Sequence, residues 1–213
     1  MVKLYSYWRS TAAYRVRIAL NLKGIDFEYI PVNLIKDGGE QHQADYRTKN
    51  PQGLVPLLED GANSFTQSLA IIRYLEQSHP EPMLYSVDPI ISAKIEAFAL
   101  SICCDIHPLN NLRVMQYLKS EFDHPQEDVI TWYHHWLKTG FDGIEVTLGQ
   151  QNTKYAMTDY PSLADICLVA QVYNARRFNF DLKDYPEIVA IEQRCLQLSA
   201  FEKAIPENQI DAE

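Results

Sequence analysis

Residues 4–20 of the chain read LYSYWRSTAAYRVRIAL. An apolar and aromatic run ends at Trp8, small residues follow, and an arginine-rich segment with helical periodicity comes next. This order predicts a strand, a tight turn and a helix that begins at Ser10 or Thr11. A helix start presents unpaired N–H groups and the positive end of the helix dipole, and can therefore hold an anion. A lone hydroxyl residue at such a place is by default only a helix cap.

The composition is that of an acidic globular protein, with 213 residues, 46% hydrophobic residues and a net charge of −9. This size allows one large core or two small domains. The negative charge argues against nucleic acid or an anionic membrane as a partner. The sequence has no apolar run of roughly 18 residues and no signal-peptide pattern, so we expect no transmembrane helix and a cytoplasmic location.

The cysteine and histidine patterns do not predict a metal site. The four cysteines are Cys103, Cys104, Cys167 and Cys195. They form no CxxC pair, so we expect them to be reduced and mostly buried. The adjacent His134 and His135 face different sides of a helix, and Asp105 with His107 lacks further ligands nearby.

The first eighty residues alternate between element types. Periodicity and turn signals predict strands at 3–7, 27–32, 55–59 and 64–65, and helices at 11–23, 40–48 and 68–77. Gly24 is the expected residue after the first helix, and Asp60-Gly61 is typical of a hairpin turn. The predicted order is β-α-β-α-β-β-α.

Beyond a linker bracketed by two prolines, at 82 and 89, the sequence predicts only helices. Apolar residues at 91, 95, 98 and 102 recur at helical spacing, and helices are predicted at 129–148 and 185–198. Ser162 and Asp165 form a capping-box pattern before a segment that is apolar nearly all round, which is typical of a central helix. The sequence therefore predicts an α/β domain, residues 1–82, followed by an all-α domain, residues 88–213.

Several stretches resemble one family. Residues 5–20, 33–41, 50–56, 67–72, 105–113 and 163–178 are similar, in this order, to zeta-class glutathione transferases. The resemblance covers nearly the whole chain and implies a thioredoxin-like N-terminal domain, an all-α C-terminal domain and a homodimer. It also implies glutathione as cofactor, and cis–trans isomerisation of an unsaturated diketo acid such as maleylacetoacetate.

The resemblance assigns the thiol-activating role to the turn before the first helix. Ser10 is the expected donor to the glutathione thiolate, with Thr11 and Arg9 as further catalytic residues. Lowering the thiol pKa by about two units needs roughly 2.7 kcal/mol, which a hydroxyl hydrogen bond and a helix N-terminus can supply together. The family has Ser-Ser-Cys where this chain has Ser10, Thr11 and Ala12. How the two hydroxyls divide capping and catalysis is therefore open.

Other positions match the family's glutathione contacts. They are Ala12, Arg15, Gln41, Val55, Gln67 and Ser68 in the first domain, and His107, Asn111 and Arg113 in the second. Ser68 at the start of the third helix suits the γ-glutamyl carboxylate, although a plain helix cap explains it equally well. Val55 precedes a proline that is cis in the family, where the Val55 backbone pairs with the ligand like an added strand. Alone, Gln41 is typical of a solvated surface residue.

The substrate is expected to be a small dicarboxylic keto acid held by arginines. The candidates are Arg9, Arg113 and Arg177, because arginine binds carboxylates through two hydrogen bonds. The helical register favours Arg177 over Arg176, and Arg113 is predicted on the first long helix of the second domain. A surface or ion-paired arginine is nevertheless the commoner state.

The function that the sequence favours is a glutathione-dependent isomerase of tyrosine and phenylalanine catabolism. Reversible addition of the thiolate to the double bond would let that bond rotate. Maleylpyruvate isomerase is the nearest alternative, because it uses the same chemistry on a shorter substrate. A transferase that conjugates or dehalogenates small electrophiles, and a non-catalytic glutathione-binding module, are the broader alternatives.

Overall fold

The chain folds into two compact units in the computed structural model, which describes residues 1–213. The first unit contains Met1–Leu84 together with Leu196–Glu213, and the second contains Tyr85–Cys195. The predicted domain limits, 1–82 and 88–213, stay a prediction. The structure groups the last residues with the first unit because the last helix of the chain packs against the first helix.

The first unit is built on a four-stranded mixed sheet. Its strands are β1 (Val2–Ser6), β2 (Phe27–Pro31), β3 (Leu57–Asp60) and β4 (Asn63–Thr66). They lie in the order β2-β1-β3-β4, with β1 parallel to β2, and with β3 antiparallel to both β1 and β4. Gly61 has a φ of 58° in the turn between β3 and β4, a conformation that glycine adopts without steric cost.

Four helices complete the first unit. They are α1 (Thr11–Leu22), α2 (Ala44–Lys49), α3 (Ser68–Ser78) and α9 (Ser199–Ala204), numbered along the whole chain. The helix predicted at 40–48 is divided into a 3-10 turn, Glu40–His42, and α2, because Gln43 between them has an extended backbone (φ −68°, ψ 149°). The predicted order of strands and helices is otherwise confirmed.

The second unit contains helices and no strand, as the sequence predicts. Its helices are α4 (Pro89–Leu100), α5 (Leu112–Ser120), α6 (Gln126–Gly149), α7 (Leu163–Arg177) and α8 (Pro186–Leu196). A π-helical turn, Ser101–Ile106, follows α4. None of the helices combines the length and the apolar character that crossing a membrane requires.

Each unit has its own apolar core. In the first unit, fully buried side chains come from the sheet and from the helices that cover it: Leu4, Leu57, Leu58, Ile18, Leu20, Ile71, Ile72 and Leu75. In the second unit they come from α4, α6 and α7: Ile95, Tyr133, Leu137, Phe141, Ile166, Cys167 and Leu168. Burying one large apolar side chain of this kind stabilises the fold by roughly 1.5–3 kcal/mol relative to leaving it exposed to water.

The cysteines are only partly as expected. Cys167 and Cys195 are buried and all four are free thiols, but Cys103 is half-buried and Cys104 is exposed. Cys103 and Cys104 both lie in the π-helical turn Ser101–Ile106, where Ile102 and Ile106 are the buried residues. The expectation that the cysteines are mostly buried is therefore wrong for this pair.

The capping box at the start of α7 is confirmed, and its acid is fully buried. Asp165 Oδ2 accepts hydrogen bonds from the Ser162 amide at 2.8 Å and the Ser162 hydroxyl at 2.9 Å. Asp165 Oδ1 accepts a third bond from the Ala156 amide at 2.8 Å. One carboxylate therefore connects the start of α7 to the segment that precedes it. Burial raises the pKa of Asp165 to about 6, although these three donors oppose the shift.

We expect Asp165→Asn to lower the free energy of unfolding by about 2–4 kcal/mol at pH 7, because an amide cannot accept all three bonds. The loss should depend on pH. The pKa of Asp165 is about 6 in the folded chain and about 3.9 in the unfolded chain. The native state therefore binds this proton more tightly, and the stability that Asp165 confers falls as the pH rises from about 4 to about 6. It should be constant above that range.

Urea unfolding of both proteins between pH 4 and pH 8 measures this difference. The exposed Asp159, which accepts one backbone bond from Lys154 at 2.9 Å, provides the matched control as Asp159→Asn. Stability curves for wild type and Asp165→Asn that run parallel across this range would contradict the assignment.

Candidate active site

The turn between β1 and α1 places Ser10 at the start of α1. The Ser10 amide donates to the Tyr7 carbonyl at 2.9 Å and closes the turn. The Ser10 backbone is extended (φ −72°, ψ 114°), and its Oγ accepts a hydrogen bond from the Ala13 amide at 3.2 Å. Ser10 is therefore the N-cap of α1, and this bond uses a lone pair of Oγ and leaves the hydroxyl hydrogen for another acceptor.

The two hydroxyls of this turn differ in accessibility. Ser10 is half-buried, whereas only 4% of Thr11 is exposed. The capping role belongs to Ser10, and the more accessible hydroxyl is also that of Ser10. If capping and thiol binding were exclusive, the buried Thr11 would have to act on the ligand. Because the cap engages only a lone pair, Ser10 can do both.

Arg15 and Ser68 form a buried pair between α1 and α3. Arg15 is 2% exposed and its Nη1 donates to Ser68 Oγ at 3.1 Å. The Nε and Nη2 atoms of Arg15 are buried without a hydrogen-bond partner. The guanidinium therefore carries a charge that no carboxylate of the chain neutralises. Since Ser68 Oγ accepts from Arg15, its own hydrogen remains available for donation to an anion.

Gln67 immediately precedes α3 and has a strained backbone. Its φ is 67° and its ψ is 113°, in a region that residues other than glycine rarely adopt. Such a conformation costs on the order of 1–3 kcal/mol and is found preferentially at functional sites. The exposed side chain of Gln67 donates from Nε2 to Gln52 Oε1 at 3.3 Å. Gln67 leads directly into the first turn of α3, where Ser68 lies.

The Val55–Pro56 peptide bond is cis, as the resemblance implies. Val55 precedes β3, whose pairing with β1 and β4 begins at Leu57. The Val55 backbone therefore lies outside the sheet ladder. Its side chain packs against a small apolar cluster that includes Tyr5 and Tyr46.

Gln41 is buried, in contrast to the surface position that its sequence context suggests. It is 7% exposed, and its Nε2 donates to the Leu34 carbonyl at 3.4 Å. A Cβ atom on Gly39, whose φ is 100°, would lie 2.4 Å from Gln41 Nε2. The glycine is thus required for this side chain to fold inward. The Gly38-Gly39 pair was the available sequence signal.

Arg9 lies beside the capping residue and on an aromatic ring. Its guanidinium carbon lies 4.0 Å from the centroid of the Trp8 ring. Trp8 is 3% exposed, whereas Arg9 is half-buried. A cation held against a ring in this way keeps its N–H edge available for a carboxylate. Ala12, in the first turn of α1, offers no side-chain donor.

Three of the predicted glutathione contacts belong to the second unit. Asn111 caps α5, since its Oδ1 accepts from the Arg113 amide at 3.2 Å. Asn111 Nδ2 also lies 3.4 Å from His107 Nε2. Arg113 is exposed in the first turn of α5, not on the first long helix, so that expectation is wrong. The chain leaves the helix after the π-helical turn and restarts at the Asn111 cap.

The structure distinguishes the two arginines at the end of α7. Arg176 forms an ion pair with the buried Glu192, with Nε 3.0 Å from Oε1. Arg177 is exposed, and its guanidinium lies 5.1 Å from the centroid of the Phe178 ring. Arg176 is therefore engaged in a structural ion pair. Arg177 is the candidate for substrate binding that the helical register favours.

Sequence reasoning missed Arg17. This arginine is fully buried, and its Nη2 and Nη1 donate to the carbonyls of Trp8 and Tyr7 at 3.0 and 3.4 Å. Its Nη1 also donates to Ser6 Oγ at 3.2 Å, and its Nε to the Ala204 carbonyl at 3.1 Å. The only sequence signal was local, since Val16 and Ile18 to Leu20 flank Arg17 with apolar residues.

Comparison with known proteins agrees with these features. The family profile described as "Glutathione S-transferase, N-terminal domain" matches residues 4–83. A probable maleylacetoacetate isomerase of Vibrio cholerae is 47% identical over 209 residues, which cover 98% of this chain and 97% of that protein.

Two solved structures are similar over the full chain. A holo maleylpyruvate isomerase, described as a bacterial zeta-class glutathione S-transferase, has a TM-score of 0.96 and 42% identity and covers 99% of this chain and 100% of its own. A maleylacetoacetate isomerase of Anaeromyxobacter dehalogenans, with dicarboxyethyl glutathione and citrate in its active site, has a TM-score of 0.89 and 35% identity and covers 100% and 94%. Identity at this level over nearly the whole length shows that the chain belongs to the glutathione S-transferase family, in its zeta class.

Proposed function

We propose that this protein is a glutathione-dependent cis–trans isomerase that converts maleylacetoacetate to fumarylacetoacetate in tyrosine and phenylalanine catabolism. The observation that carries the proposal is the buried Arg15, which extends from the helix capped by Ser10 and donates to Ser68. It links a hydroxyl suited to a thiolate with a hydroxyl suited to a carboxylate. A thiolate and an α-carboxylate are the chemically distinctive groups at the two ends of γ-glutamylcysteine.

Glutathione fits the residues that the first unit provides. Ser10 and Arg15 are five residues apart on one helix, a rise of roughly 7–8 Å, which an extended γ-glutamylcysteinyl unit can span. The unneutralised charge of Arg15 and the N–H groups at the start of α3 favour a carboxylate there. Gln41, Val55 and Gln67 are the further proposed contacts, with Thr11 and Ala12 beside Ser10. From the second unit we propose His107, Asn111 and Arg113.

Ser10 has a defined part in the reaction. When bound, glutathione supplies a thiolate that adds reversibly to the double bond and so permits rotation about it. The Ser10 hydroxyl donates to the sulfur, and the N-terminus of α1 adds the favourable field of the helix dipole. Together these interactions keep the thiol deprotonated at neutral pH.

The substrate is a dianion, and arginines offset the negative net charge of the protein. Arg9, whose guanidinium lies against the Trp8 ring, directly precedes the capping serine in the sequence. We propose that Arg9, Arg113 and Arg177 bind the carboxylates and stabilise the negative charge that develops on the keto oxygen. The dicarboxyethyl glutathione bound by the Anaeromyxobacter relative supports a dicarboxylate at this kind of site.

Maleylpyruvate isomerisation is the second candidate, because a structurally similar relative carries that name. Both substrates are cis-unsaturated dicarboxylic keto acids, so the residues described above suit either of them. Activity as a conjugating or dehalogenating transferase rests on the same thiolate. We further propose that the protein is a homodimer in the cytoplasm, and its mass in solution tests the first part.

The first experiment is an ultraviolet assay of maleylacetoacetate loss with and without glutathione, with maleylpyruvate in parallel. We expect rapid loss of maleylacetoacetate that depends on glutathione. Turnover of maleylpyruvate alone would reassign the substrate. If neither acid is turned over although calorimetry shows that glutathione binds, the isomerase proposal is contradicted. A conjugating transferase or a non-catalytic glutathione-binding protein would then be the remaining interpretation.

Replacing Ser10 tests the thiolate donor. In Ser10→Ala we expect the pKa of the bound glutathione thiol to rise by about two units and the rate at neutral pH to fall by up to about 100-fold. Loss of the cap should cost only about 1 kcal/mol of stability. The absorbance of the bound thiolate against pH measures the first effect. Thr11→Val is the matched control. A thiol pKa that stays at the wild-type value in Ser10→Ala but rises in Thr11→Val would move the role to Thr11.

Replacing Arg15 with methionine tests the carboxylate site. A hydrogen bond to a charged group is worth about 1.5–3 kcal/mol, so the Kd for glutathione should rise roughly 10- to 100-fold. A decarboxylated analogue, γ-aminobutyryl-cysteinyl-glycine, should bind wild type and Arg15→Met alike. Since the Arg15 charge has no carboxylate partner, the thermal midpoint should not fall. Equal losses of affinity for both ligands would exclude recognition of the γ-glutamyl carboxylate.

A further inference from the structure

The last residues of the chain contact the turn that carries Ser10. The carboxylate Oδ2 of Asp211 accepts a hydrogen bond from the Trp8 amide at 3.1 Å. Trp8 lies two residues before Ser10. Asp211 lies 203 residues after Trp8 in the sequence. Both partners belong to the first unit, which includes Leu196–Glu213.

The same turn is held from its other side by Arg17. The Trp8 carbonyl accepts from Arg17 Nη2 at 3.0 Å, so both backbone groups of Trp8 are engaged. The Tyr7 carbonyl accepts from Arg17 Nη1 at 3.4 Å and from the Ser10 amide at 2.9 Å. The backbone groups of the turn are therefore bound to the Arg17 side chain, to the Asp211 side chain or, for the Ser10 amide, within the turn.

Asp211 is the acidic group of this cluster. Its Oδ1 is buried, and burial together with the nearby Asp211 carboxylate raises the pKa of Tyr29, while the Arg17 charge lowers it. A carboxylate and a guanidinium thus flank the backbone of Trp8. Loss of the carboxylate would leave the Trp8 amide buried without an acceptor, a state that costs more than an exposed unpaired group.

We propose that Asp211 is a positioning residue that fixes the Trp8–Ser10 turn, and with it the Ser10 hydroxyl and the Arg9 guanidinium, for the reaction. The expected effect of Asp211 on catalysis rests on the proposed function, but its expected effect on the structure of the turn does not. The alternative is that Asp211 only anchors the end of the chain.

The structure supplies a matched control for that alternative. Asn21 Nδ2 donates to the Ala200 carbonyl at 3.0 Å and so also ties the C-terminal segment to α1. Asn21 does not contact the turn. Asn21→Ala removes an anchor of the same segment, whereas Asp211→Ala removes the bond to Trp8. Asp211→Asn keeps an oxygen acceptor and removes the charge.

The first measurement uses the protein without glutathione. The chain has three tryptophans, Trp8, Trp132 and Trp136, so ¹⁵N-tryptophan labelling reports the exchange rate of the Trp8 amide, with the other two as internal references. We expect exchange at Trp8 to accelerate at least about tenfold in Asp211→Ala, less in Asp211→Asn, and not in Asn21→Ala. An unchanged rate in Asp211→Ala, or an equal acceleration in Asn21→Ala, would overturn the proposal. If Asp211→Ala does not fold, the comparison of Asp211→Asn with Asn21→Ala decides in the same way.

The second measurement uses the loaded enzyme. In Asp211→Ala the pKa of the bound thiol should rise by about one unit, which lowers kcat up to about tenfold at neutral pH. The Kd for glutathione should stay within about twofold, because Ser68 and Arg15 are untouched. A wild-type protein that does not lower the thiol pKa would contradict the proposed function while the exchange result still tests Asp211. A thiol pKa in Asp211→Ala that stays as low as in wild type would show that Asp211 only anchors the chain.

Discussion

The buried guanidinium of Arg17 is the interaction on which the first unit depends. A charge removed from water must be matched by strong acceptors, and Arg17 finds them in the carbonyls of Tyr7, Trp8 and Ala204. These carbonyls belong to the turn after β1 and to the end of α9. One side chain therefore specifies the path of the turn before α1 and the docking of the last helix. The C-terminal segment is part of the thioredoxin-like unit for this reason.

The two buried arginines of α1 differ in how completely they are hydrogen-bonded, and we propose that only Arg15 recognises a ligand. Arg17 has acceptors for all of its guanidinium nitrogens, whereas Arg15 has one, the Ser68 hydroxyl. Both lie on the same helix, in a protein whose net charge is −9. A fully bonded guanidinium rigidifies the fold, and an incompletely bonded one keeps a positive field for an anion. A bound carboxylate would offset the cost of burying the two unpaired nitrogens of Arg15.

Periodicity, turn residues and caps are local signals, and they predicted the local structure. The order of strands and helices along the chain, the α7 capping box and the cap before α1 follow from short stretches of sequence. Burial of Arg17 could not be predicted in the same way, because its acceptor Ala204 lies far away in the chain. Burial of Gln41 was missed although its neighbours Leu34 and Gly39 are close in sequence. The end of the helix before Arg113 was also missed, since an interrupted helix keeps its apolar spacing across the break. Arg17 resembles any charged residue on a helix until Ala204 is placed beside it.

Capping and thiol activation are usually weighed as rival explanations for a serine at a helix start, but the geometry makes them cooperative. The Ala13 amide directs its hydrogen at one lone pair of Ser10 Oγ, which orients the hydroxyl and polarises its O–H bond. The cap therefore improves the donor that we propose for the glutathione thiolate. A hydroxyl without a cap would rotate freely and lose part of its hydrogen-bond energy to that entropy. The bond that begins the helix is in this sense also the one that prepares the site.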